Sequence, residues 1–124
     1  MHSVLVVDDN SAHRYALCRT LEESGFRTIA AATRLNALEH ASLHPDIALV
    51  DVHLPDIDGF EVCRRLKANR ETADIPVVMF SSSSQDSSTI NCAMLVGAKT
   101  FLFFPIQTEH LIAVVQGAFV HKNS

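Results

Sequence analysis

Apolar residues fall in two rhythms along this chain. Four short unbroken runs carry no charge: Val4-Leu5-Val6-Val7, Ile47-Ala48-Leu49-Val50, Val77-Val78-Met79-Phe80 and Phe101 to Phe104. Runs of that length and make-up read as strands buried on both faces of a parallel sheet. Phe26 to Ala31 supplies a fifth strand. Between the runs the apolar positions take helical spacing. Roughly Ser11 to Ser24 reads as a helix, with Ser11 as N-cap and Gly25 as stop. Thr33 caps a second helix carrying Leu35, Leu38 and Ala41, which His44-Pro45 ends. Asp58 caps a third that buries Phe60, Val62, Cys63 and Leu66. Asp86 caps a fourth that stops at Gly97. The last helix shows the plainest stripe, with Leu111, Val114, Val115, Ala118 and Phe119 at i, i+3, i+4, i+7 and i+8.

Pro76 opens the fourth strand, where a missing N–H is tolerated. Strict alternation of strand and helix with short connections predicts an α/β domain, a parallel sheet with helices on both faces. In such sheets ligands bind beyond the carboxyl ends of the strands. Three aspartates stand there. The first run leads into Asp8-Asp9 and the third strand into Asp51; the fourth leads into Ser81, at the head of the polar stretch to Ser84. The fifth ends at Phe104-Pro105. No lysine or arginine ends a comparable run.

Carboxylates gathered at one sheet edge repel each other unless a cation sits among them. A hard divalent ion such as Mg2+ suits them, because it takes oxygen ligands in octahedral array and keeps some waters. Adjacent Asp8 and Asp9 can serve it directly and through water. Asp51 can be a third ligand, a nucleophile, or both: beside a metal that neutralises incoming oxygens, a carboxylate can attack a phosphoryl group. Ser81 could then donate a hydrogen bond to that group. Taken singly, Asp9 could be a helix cap, Asp51 a loop acid, Gly59 a turn glycine, and Ser81 one serine of a serine-rich loop.

Size and composition narrow the function. The 124 residues, 48% hydrophobic and 19% charged, suit one globular domain over 1–124. A formal charge of −4 argues against direct nucleic-acid binding. Arg64, Arg65 and Lys67 read as a solvated helix face. Cys18, Cys63 and Cys92 are odd in number and form no C-x-x-C pair, which fits a reducing, cytoplasmic setting. No signal-peptide pattern or 18-residue apolar run is visible, so no membrane contact is expected.

The signatures Val4-Leu5-Val6-Val7-Asp8-Asp9-Asn10 and Asp51-x-x-Leu54-Pro55-x-x-Asp58-Gly59 resemble those of receiver domains of two-component response regulators. Pro76 to Ser81 and Gly97-Ala98-x-x-Phe101-Leu102-x-Phe104-Pro105 support the resemblance by order and spacing, over the whole chain. It implies a flavodoxin-like (βα)5 fold with strand order 2-1-3-4-5. It implies Asp51 as phosphoacceptor, charged by a sensor histidine kinase or a histidine phosphotransfer protein. Asp8, Asp9, Asp51 and the His53 carbonyl would hold Mg2+. Ser81 would be the switch hydroxyl and Phe101 the aromatic switch. Output would run through the face of the fourth helix, fifth strand and fifth helix, to an output domain, a partner protein or a second copy. Such a domain signals and is not an enzyme beyond its own phosphoryl transfer and dephosphorylation.

Two positions depart from the family pattern. Phe104 stands where the family has a lysine, immediately before the fifth-strand proline. A unit-charge pair at 4 Å is worth about 4 kcal/mol at an effective dielectric of 20, before desolvation. Its loss touches the phosphorylated state more than the metal. Lys99 sits near the far end of the strand, and His53 borders the pocket mainly through its carbonyl. His40 and His44 are four apart, but Pro45 interrupts their helix. Ser82 replaces a smaller residue after Ser81. The fourth helix has no Lys, Arg or Glu between Asp86 and Gly97, leaving an apolar face for core packing or a partner. A pseudo-receiver, binding partners without phosphorylation, therefore stays open beside the phosphoacceptor. A flavodoxin-like electron carrier fits poorly, since Asp8-Asp9 would repel a flavin phosphate. A D-x-D hydrolase fails because position 53 is His.

Overall fold

The computed structural model of the protein describes residues 2–52, 59–81, 87–103 and 106–122. The expectations for His53, for Asp58 and Asp86 as caps, for Ser82 and for Phe104 lie outside the described residues.

Among the described residues, ten elements alternate strand and helix without exception. They are β1 (Ser3–Val7), α1 (Ser11–Glu23), β2 (Arg27–Ala31), α2 (Arg34–Ala41), β3 (Ile47–Asp51), α3 (Gly59–Ala68), β4 (Val77–Ser81), α4 (Ser87–Leu95), β5 (Thr100–Phe103) and α5 (Thr108–Lys122). The five strands form one parallel sheet of order β2-β1-β3-β4-β5. This is the flavodoxin-like order that the resemblance implies.

Both faces of the sheet are covered, which is why the strand runs need no polar alternation. Val4, Val6, Ile47, Leu49, Val78, Phe80 and Leu102 point to one side, where Leu17 and Leu21 of α1 and Leu111, Val115 and Ala118 of α5 meet them. Leu5, Val7, Ala48, Val50, Val77 and Met79 point to the other. There Ala37 and Ala41 of α2, Val62, Cys63 and Leu66 of α3, and Ala93 of α4 close over them. Each fully buried large aliphatic side chain stabilises the fold by about 1.5–3 kcal/mol.

Several boundaries move, each for a local reason. The N-cap of α1 is Asn10 rather than Ser11: its side chain accepts the His13 N–H at 3.0 Å. Thr33 does cap α2, accepting the Asn36 N–H at 3.2 Å. That helix ends at Ala41, before His44-Pro45, and Leu35 faces solvent. The short α2 turns Ala37, Leu38 and Ala41 to the core and leaves Leu35 on the opposite face. Ser81 belongs to β4 rather than to the loop after it, and Asp51 belongs to β3. Gly97 follows α4 with φ +105°, conformational space that favours glycine. In α5, Leu111, Val115 and Ala118 are buried and Val114 packs beside them.

Candidate acidic metal and phosphoacceptor site

Strand register builds the site. Val7 pairs with Val50 between β1 and β3, so the next residues, Asp8 and Asp51, stand side by side at the carboxyl edge. Main-chain bonds hold both ends. The Asp8 N–H donates to Ala31 at 3.0 Å, and the Val52 N–H donates to Phe80 at 3.0 Å. Asp8 shares the strand parity of Val4 and Val6, and Asp51 that of Leu49. Both carboxyl groups therefore leave the sheet on the side covered by α1 and α5. Asp9 completes the cluster: one carboxylate oxygen from each of Asp8, Asp9 and Asp51 lies within 4.8 Å of the others.

Burial makes this cluster costly. Asp8 is 0% exposed and Asp51 6%, while Asp9 is open to solvent. Burial pushes the Asp8 carboxyl above its ordinary value. The Asn10 N–H, which donates to Asp8 Oδ1 at 2.9 Å, pulls it back, as do Asp51 and His13, while Asp9 raises it. The other oxygen, Oδ2, is buried without a hydrogen bond. An orphaned carboxylate oxygen inside a ring of acids is unstable as it stands, and it is the donor a hard cation takes. The residues present thus fit a divalent ion. Asp9 does not cap α1, because Asn10 does.

The remaining predicted residues divide. Ser81 ends β4, buried, one residue beyond Phe80, the register partner of Asp51. Phe101 pairs with Met79 and packs against the core, its ring 5.1 Å from that of Phe103. Lys99 lies at the opposite end of the sheet, its N–H on the Val77 carbonyl at 2.8 Å. It does not serve the acidic edge. His44 turns away as well, with φ 60° and Nε2 2.9 Å from the Glu71 carbonyl oxygen.

Three nearby residues escaped sequence reasoning. Arg14 reaches the edge after all, Nη1 donating to the Asp8 carbonyl oxygen at 2.7 Å. It binds main chain, not carboxylate. His13 places Nδ1 3.6 Å from Asp8 Oδ2. Both lie in the first turn of α1, directly after Asp8-Asp9, and that adjacency was the available signal. Gly59, read as a turn glycine, instead opens α3 against Asp51: its N–H donates to the Val52 carbonyl at 2.6 Å.

With fold and edge defined, comparison with known proteins places the chain. The family described as "Response regulator receiver domain" matches residues 4–116. Among curated relatives, the DNA-binding dual master transcriptional regulator RpaA of Synechocystis is 33% identical over 94% of this chain and 48% of its own length. Protein PilH of Pseudomonas aeruginosa is 28% identical over 93% of this chain and 95% of its own. Among solved structures, the chemotaxis protein CheY4 of Vibrio cholerae has a TM-score of 0.88 at 27% identity, covering 95% of this chain and 98% of that one. The chain belongs to the response regulator receiver domains, signalling modules of two-component systems. It spans about half the length of RpaA and nearly all of PilH. Among the described residues, no helix is long and apolar enough to cross a membrane.

Proposed function

We propose that the chain is a phosphoacceptor receiver in which Asp51 takes a phosphoryl group from a histidine kinase or a histidine phosphotransfer protein. The observation that carries this reading is the three-aspartate cluster with the orphaned oxygen of Asp8. Asp8, Asp9 and Asp51, with the His53 carbonyl, would hold Mg2+. When bound, the ion neutralises the acids and the oxygens of the incoming phosphoryl group. Asp8, fixed by its N–H on Ala31 and by the Asn10 N–H on Oδ1, orients its free oxygen toward the cluster. An Asp51 oxygen forms the new bond to phosphorus as the bond to the donor imidazole breaks, and the donor nitrogen recovers a neutral ring. The Ser81 hydroxyl then donates to a phosphoryl oxygen.

The chain then signals by protein contacts, with Phe101 following Ser81. The fourth-helix face is a candidate output surface: α4 carries no charged residue, and Leu95 is 86% exposed. The names of RpaA and CheY4 point to transcriptional and chemotactic outputs in those proteins, and the output of this chain is one of that general kind, protein-borne and remote from the site. Phe104, in the lysine position, supports a second reading, a pseudo-receiver that binds partners without phosphorylation. A small phosphodonor with Mg2+, followed by peptide mapping, separates the two. A peptide carrying a hydroxylamine-labile phosphoryl group on Asp51 supports the phosphoacceptor; a donor-treated chain without modification supports the pseudo-receiver.

A further inference from the structure

The oxygen of Asp8 that accepts no hydrogen bond is the one facing His13. The imidazole Nδ1 lies 3.6 Å from Oδ2. That is beyond the reach of an N–H···O bond, which falls at about 2.7–3.2 Å. It is only slightly longer than the ~3.0 Å separating neighbouring ligands of an octahedral ion with bonds of ~2.1 Å. Two polar atoms that face each other across such a gap are arranged as an ion would bridge them. The main chain of His13 is anchored, its N–H held by the Asn10 side chain at 3.0 Å. Its ring is 36% exposed and is not locked into the core. Arg14 is engaged at the Asp8 carbonyl. Among the described residues, His13 is therefore the nitrogen donor beside the carboxylates.

We propose that His13 is a nitrogen ligand of the divalent ion at this edge, alongside Asp8, Asp9 and Asp51. The inference rests on reading those aspartates as metal ligands. Its consequence is selectivity. Mg2+ takes oxygen donors and gains little from an imidazole, whereas Mn2+, Co2+ and Zn2+ accept it well. This receiver then holds borderline transition ions more tightly than an all-oxygen site would.

The test uses the full chain and its His13→Gln variant, with Mg2+, Mn2+ and Co2+ as probes. Pulsed electron paramagnetic resonance of the Mn2+ complex is expected to show hyperfine coupling to a directly bound imidazole nitrogen, absent in the variant. Calorimetric titration is expected to show Co2+ affinity falling about tenfold or more in His13→Gln, with Mg2+ affinity changing less than about threefold. Ion binding without nitrogen coupling, or an equal loss for both ions, overturns the proposal and leaves His13 a support for Asp8. Failure of the native chain to bind any of the three ions overturns the aspartate site itself.

Discussion

A Cβ placed on Gly59 would lie 2.8 Å from the carbonyl carbon of Asp51 and nearer still to its oxygen. What the position demands is the absence of a side chain. The first turn of α3 presses on the end of β3 at the candidate acceptor. Gly59→Ala should therefore destabilise the fold by about 1–3 kcal/mol, as overpacking does. It should also weaken Mg2+ binding, because relief of the clash moves the Asp51 peptide. Denaturant unfolding and Mg2+ titration read the two effects separately. Unchanged Mg2+ affinity would mean that the carboxylates hold their places without this contact.

Asp8 should destabilise the metal-free protein at neutral pH. Burial raises its folded value above the ordinary 3.8. Stability is then full below that value and falls as pH rises through the folded one. Asp8→Asn removes this loss, so the metal-free variant should melt above the native chain at pH 7. Added Mg2+ should reverse the order. At one hundred times its Kd it should stabilise the native chain by about 2.7 kcal/mol and the variant by much less. Thermal melts with chelator and with Mg2+ check both signs.

The sheet and the aspartates were legible because each depends on local pattern. Val4–Val7 and Ile47–Val50 are uniformly apolar, as strands between two helical layers are, and an acid after either must emerge at the carboxyl edge. What stayed hidden depends on how one element lies over another. His13 and Arg14 meet Asp8 only because the first turn of α1 folds back over β1. Gly59 looked like turn chemistry until α3 was seated on Asp51. Leu35 looked apolar enough for the core, yet Ala37 and Ala41 fill that side of α2.

The cysteines should differ sharply in reactivity. Cys63 is buried, and burial pushes its thiol up to about 11, with Lys67 pulling slightly the other way. Cys92 is exposed. A thiol reagent at pH 8 should modify Cys92 quickly and Cys63 only as the chain unfolds. Since the folded value of Cys63 lies above the ordinary 9.0, stability should be full below that value and fall as pH rises through about 11. Mass mapping of the modified peptides and an alkaline melting series test this.

Gly117 lies within α5 with nothing near the position of an added Cβ, and its φ is not positive. Gly117→Ala should stabilise the protein by about 0.5–1 kcal/mol, the helical cost of glycine. Mg2+ affinity should not change. A denaturation curve shifted to higher midpoint with unchanged slope is the expected result.

The central claim is that Asp51 accepts a phosphoryl group with a divalent ion held by its acidic neighbours. Intact-mass measurement after incubation with a small phosphodonor tests it most directly, with Mg2+, with chelator, and in Asp51→Asn. The account predicts one added phosphoryl group on the native chain with Mg2+, and none with chelator or in the variant. No uptake by the native chain, or equal uptake by Asp51→Asn, would contradict it.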